Sequence, residues 1–177
     1  MTFILPDGLA PEVYPLAWLV GRWEGHGVID YPGIPRTVIH NAVDFDHDGG
    51  PYLTYTSTIS VIADDGEVGP VWSVESGFWR VSPTPPEGLE LEDGQHAVEL
   101  VLADASGSVT LFVGTVGNGR IDLGSDLMAR TASAPDVAGA TRMYGSVQGD
   151  LLWAWDLAAW GNELQSYASA QLHRVTE

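Results

Sequence analysis

The 177-residue chain is 45% hydrophobic, with seven tryptophans and no cysteine. Twenty-four Asp and Glu residues stand against seven Arg and no Lys, for a formal net charge of −17. That balance repels phosphate backbones and anionic membrane surfaces, so neither nucleic acid nor a membrane is an expected partner, and without Cys there is no disulfide framework, thiol nucleophile or thiolate metal site.

The length suits a single domain over residues 1–177, large enough to enclose a full core or a sizeable cavity. The opening MTFILPDGLAPEV has neither a basic leader nor a long apolar core. No window approaches the ~18–20 apolar residues that span a bilayer, so a cytoplasmic protein is expected, either a monomer or a homodimer. PEVYPLAWLVG (11–21) mixes apolar and small residues at helical spacing and stops at glycine, which predicts one or two helical turns.

From Arg22 onward the pattern changes to short alternating runs, punctuated by turn residues about every ten positions. Ten strands are predicted: WEGHGVIDY, RTVIHNAVDF, PYLTYTSTISVI, VWSVESGFWRV, HAVELVLA, SVTLFVGTV, GRIDLGSDLMA, ATRMYGSVQ, DLLWAWDLAAW and LQSYASAQLHRV. The connections DHDGG, ADDGEVGP, DASG, VGNG, QGD and GN hold the Gly, Pro, Asn and Asp that tight turns require. Ten short strands are too many for a flat sheet, and closing the sheet removes its edges. The predicted fold is an all-β, antiparallel, up-and-down barrel of about ten strands with one short N-terminal helix, and such a barrel leaves room for a ligand. A sandwich, the alternative, calls for longer crossovers.

The opening strand, GRWEGHG, is unusual. Glycines within a strand mark bends or close backbone approach. Trp23, Gly25 and Gly27 share a face, and Trp23 is placed to cap one end of the barrel against the helix. His26 alternates away from Trp23 and is expected to face outward.

Gly21, Trp23, Gly25 and Gly27 fill all four fixed positions of the Gly-x-Trp-x-Gly-x-Gly motif of the nitrobindin family, and the likeness continues in order. YPGI resembles that family's Tyr-Pro-Thr-Ile, GGPYLTYTS its Pro-x-Leu-Thr-Tyr-Thr strand, VESGFWRV its Glu-Ser/Thr-Gly-Tyr-x-Arg strand, VELVLADASG its Glu-Leu-Val-Leu-Ala hairpin, and LQSYASAQLHR its closing strand. The resemblance implies a fatty-acid-binding-protein-like or lipocalin-like barrel. In this family a histidine on the last strand holds a ferric haem b, and nitric oxide binding and isomerisation of peroxynitrite to nitrate are associated with it.

Aligned on that pattern, Tyr167 falls where the family carries its haem-ligating histidine, and Ser73 falls where it carries a second cavity histidine. His173 lies on the same parity as Tyr167, roughly 20 Å along the strand, too far to take its place. A tyrosine ligates iron as a phenolate, which needs a pKa near ~10 to fall. Tyr167 therefore reads as a cavity-lining aromatic with its hydroxyl hydrogen-bonded. Trp153 and Trp155 share one face, with Trp160 on the other; they suit a flat apolar ligand or fill the space themselves.

Haem b is the one cofactor the resemblance implies, and the residues at its ligand positions argue against it. The expectation is a small-ligand-binding barrel that takes haem weakly or not at all and accepts another apolar molecule, without catalytic residues. Two alternatives stand beside it: a haem protein that isomerises peroxynitrite or binds nitric oxide, and a lipocalin-type carrier. DFDHDGG imitates the start of a calcium loop, but Tyr55 stands at its twelfth position, so a hairpin turn is expected. The five histidines show no metal-ligand spacing, and no G-x-S-x-G elbow accompanies them.

Overall fold

Alternation of apolar and polar residues shapes the ten strands, most of which bury one parity. In the computed structural model, which describes residues 4–176, they are β1 (Gly21–Tyr31), β2 (Ile34–Asp46), β3 (Leu53–Ile62), β4 (Val68–Val81), β5 (His96–Asp104), β6 (Ser108–Gly117), β7 (Arg120–Arg130), β8 (Val137–Val147), β9 (Asp150–Ala159) and β10 (Gln165–Arg174). Each strand pairs antiparallel with the next, and β1 closes the barrel on β10. The expected all-β meander is therefore a closed ten-stranded up-and-down barrel.

The predicted helix is present but is a 3-10 helix, Pro11–Leu19, three turns rather than one or two. Val13, Leu16 and Leu19 are completely buried. Their three-residue spacing eclipses at three residues per turn, so the tighter helix lays all three along one line against the core.

The GRWEGHG stretch is where this helix meets the barrel. Trp23 is buried and its indole Nε1 donates to the Leu19 carbonyl at 2.7 Å. Arg174 of β10 lies with its guanidinium 4.1 Å above the Trp23 ring and donates to the carbonyls of Trp18 and Val20. Gly25 and Gly27 are required because β10 crosses them closely. A Cβ on Gly25 would overlap the Gln171 carbonyl and sit 2.8 Å from Leu172 Cα; one on Gly27 would stand 2.6 Å from Ala170 Cβ.

Aromatic packing fills the helix-covered part of the interior. Phe45 and Tyr55 are 5.1 Å apart, and Trp79 meets Tyr144 edge-on at 5.2 Å. The wall is incomplete elsewhere: β7 pairs with β8 only from Arg120 to Gly124. Beyond that the two strands part, bridged by the Ala140 amide donating to Ser125 Oγ at 3.0 Å. The DFDHDGG segment is the β2–β3 turn. Asp48 accepts from the Gly50 amide at 2.9 Å and the Tyr52 hydroxyl at 2.6 Å, the Tyr52 bond being the chief cause that holds its carboxyl below the usual range.

Candidate functional site

Along β4 the inward side chains change from Trp79, in the packed core, to Glu75 and Ser73, which line a cavity of about 540 Å³. The interior is thus packed near the helix and open beyond it. Trp72, Trp155, Trp160 and Tyr167 supply aromatic wall, Phe112 adds to it, and Met128 and Ala140 line it where β7 and β8 part. The volume falls in the range of small-molecule sites.

A β-bulge places Tyr167. The β9–β10 register runs from Ser166 opposite Asp156 to Ala168 opposite Trp155, so Tyr167 is an extra residue without a partner. The bulge turns its side chain into the cavity. It also overturns the expectation that Tyr167 and His173 share a face. Ala168, Ala170 and Leu172 are the buried residues of β10, while His173 is exposed, its Nδ1 2.8 Å from Asp150 Oδ1. Tyr167 is half-buried, and its hydroxyl accepts from Trp72 Nε1 at 2.8 Å. Burial pushes its phenol up; the Trp72 bond opposes this, while Asp104 and Glu75 add to it.

Ser73, Trp155 and Tyr167 meet in this one cavity. Trp153 does not join them on its surface: it stacks behind Trp155, ring centroids 4.1 Å apart, and donates from Nε1 to Asn41 Oδ1 at 3.0 Å. Asn41, fully buried, donates in turn to Ser57 Oγ at 2.9 Å and the Thr58 carbonyl at 3.1 Å. Trp153 therefore fixes the plane of Trp155. Trp23, Gly25 and Gly27 belong to the opposite, helix-bearing end, where they shape the barrel rather than the cavity. His26 is exposed on the outer face, 5.5 Å from His40.

The most polar feature of the cavity escaped the sequence reading. Arg142 donates to Glu75 twice, Nη1 to Oε1 at 2.6 Å and Nη2 to Oε2 at 2.8 Å, with both side chains nearly excluded from solvent. Tyr55 donates to Glu75 Oε1 at 2.8 Å. The guanidinium lies 3.9 Å from the Trp155 ring and 5.0 Å from that of Phe112. Parity held the clue: Glu75 shares its face with Trp79, and Arg142 with Tyr144. Asp104 stands directly opposite Glu75 in the β4–β5 register, so both carboxylates face the cavity. Among the described residues no histidine lines this cavity, and no group of three His, Cys, Asp or Glu side chains is arranged to hold a metal ion.

Residues 12–174 match the family described as the THAP4-like, heme-binding beta-barrel domain. The chain is 47% identical to the ferric nitrobindin-like protein of Beutenbergia cavernae, over 99% of this chain and 100% of that protein. It is 39% identical to the peroxynitrite isomerase of Clavibacter michiganensis subsp. michiganensis, over 97% and 98% of the two chains. The crystal structure of Rv2717c from M. tuberculosis superposes with a TM-score of 0.78 at 32% identity, covering 95% of this chain and 99% of that one. The bulged Tyr167, the GRWEGHG strand and the closed ten-stranded barrel thus occur in a chain that belongs to the nitrobindin family of haem-binding β-barrels.

Proposed function

We propose that this chain is a small-ligand-binding member of its family that holds haem weakly or not at all and takes another, largely apolar molecule in the cavity behind Tyr167. The supporting observation is the donor set. Of the side chains that serve as axial ligands to haem iron, the cavity offers, among the described residues, the Tyr167 phenol and the Met128 thioether. The phenol is held protonated by burial and already accepts a hydrogen bond from Trp72. Such a lining does not suit a histidine-ligated haem. It suits a flat molecule that fits between aromatic walls.

Titration of the purified apo-protein with ferric haem tests this, run beside Tyr167→His. The expected result is no saturable Soret band for the parent protein and a clear gain for the variant. A saturable band in the parent would overturn the reading, and no gain in the variant would count against Tyr167 as the ligand position. Uptake of Nile red, a neutral apolar dye, checks the small-ligand half of the reading; no saturable fluorescence gain would sink it.

One observation favours a second reading. Relatives 39% identical over nearly the full chain carry the name peroxynitrite isomerase. On that reading the protein holds ferric haem without histidine and acts on peroxynitrite. It predicts that purified protein retains haem and accelerates peroxynitrite decay.

A further inference from the structure

Glu75 and Asp104 face the cavity from directly opposed positions on β4 and β5. Like charges so placed repel, and a sheet normally avoids them. Arg142 neutralises Glu75 through two hydrogen bonds. Asp104 has no such cation: its Oδ1 accepts from the Ser106 amide at 2.7 Å, and no ion pair involves it among the described residues. Two carboxylates therefore face the cavity against a single guanidinium that is already committed to Glu75. Asp104 thus leaves the lining net negative, and low-dielectric walls concentrate that field on whatever enters.

The aromatic lining complements that field. Arg142 already covers the Trp155 ring. Trp72, Trp160 and Tyr167 remain at the cavity; Trp72 and Trp160 are 40% and 50% exposed. Their faces are negative in quadrupole and attract cations. Organic anions, haem propionates included, meet the wrong sign of field.

We infer that the cavity selects an organic cation: a molecule with a flat apolar body and an ammonium-type head that sits against Asp104 among Trp72, Trp160 and Tyr167. This rests on the small-ligand reading and names the ligand class for the same site.

The test compares three probes of one shape: benzyltrimethylammonium, its neutral isostere neopentylbenzene, and the anion benzylsulfonate. Each displaces Nile red from the full-length protein, and the titrations are repeated with Asp104→Asn, which keeps an acceptor for the Ser106 amide. The cation should bind roughly tenfold tighter than the neutral isostere at low salt, and the sulfonate weakest of the three. Asp104→Asn should remove most of that preference while leaving the neutral probe unchanged, and added salt should weaken the cation alone. Equal affinity for cation and isostere, or tighter binding of the sulfonate, overturns the inference. Nile red uptake without cation preference leaves the small-ligand reading standing; failure of Nile red and all three probes to bind sinks both.

Discussion

Arg142 of β8 reaches across the barrel interior to Glu75 of β4 and grips both carboxylate oxygens, while its guanidinium packs on Trp155. A bidentate pair buried against aromatics has lost most of its hydration, so its stability depends on both partners being present. Removing one leaves an uncompensated buried charge. Arg142→Met is expected to cost about 3–5 kcal/mol, and Glu75→Gln with Arg142→Met together distinctly less than the sum of the two single changes. Urea unfolding of the two single variants and the double one measures the coupling. Additive losses would show that the pair is not a unit.

A second expectation concerns the opening strand. An alanine at Gly25 would drive its methyl group into the backbone of β10 at Gln171 and Leu172, which cannot yield without breaking the β1–β10 ladder. Gly25→Ala should destabilise by about 1–3 kcal/mol or more. Gly145 on β8 is the contrast: nothing lies within 4 Å of a Cβ there. Gly145→Ala should gain roughly 0.5–1 kcal/mol, as alanine generally does over glycine within a strand. Thermal unfolding of both variants should move in opposite directions, and the same sign for both would refute the close-approach account.

The contrast between these glycines shows what was legible in the sequence. Alternation and turn residues placed all ten strands, because one buried face repeats a period of two wherever the wall is regular. The order GRWEGHG identified Gly25, Gly27 and Trp23 as a shaped junction for the same reason. What the pattern could not carry was its own interruption. Tyr167 reads as facing with His173 on simple parity, and only the bulge after Ser166 turns it inward. The Glu75–Arg142 pair was hidden because its partners lie 67 residues apart and meet across the barrel, not along a ladder. The placing of Asp104 opposite Glu75 likewise depends on the β4–β5 register, which single-strand patterning leaves unset.

The helix junction gives a third expectation. Trp23→Phe keeps an aromatic ring beneath Arg174 but removes the donor to the Leu19 carbonyl. That carbonyl belongs to the last turn of the 3-10 helix, where free acceptors collect. The variant should lose about 1–3 kcal/mol, the cost of leaving a buried group unpaired. Amide hydrogen exchange should show the loss concentrated in Pro11–Leu19 and β1 rather than at the cavity. Unchanged protection there would mean that ring packing alone holds the helix.

The alkaline limb of stability provides the last expectation. With no Lys and no Cys, the six tyrosines are the only side chains that titrate between about pH 9 and pH 12. Burial pushes the phenols of Tyr55, Tyr144 and Tyr167 above their ordinary value of 10.0, Tyr55 furthest, with Glu75 beside it adding to the rise. Above that value the unfolded chain gives up protons that the folded chain retains. Their contribution is therefore complete below about pH 10 and declines as pH rises through the range between unfolded and folded values. Urea midpoints should be level across mildly alkaline pH and then fall. Tyr55→Phe should make the fall shallower, since one phenol no longer differs between the two states, although it also removes the donor to Glu75 and lowers the plateau. Ultraviolet titration at 295 nm follows the same groups directly. If Tyr55→Phe leaves the alkaline slope as steep as in the parent, the Tyr55–Glu75 contact is not what resists ionisation inside the barrel.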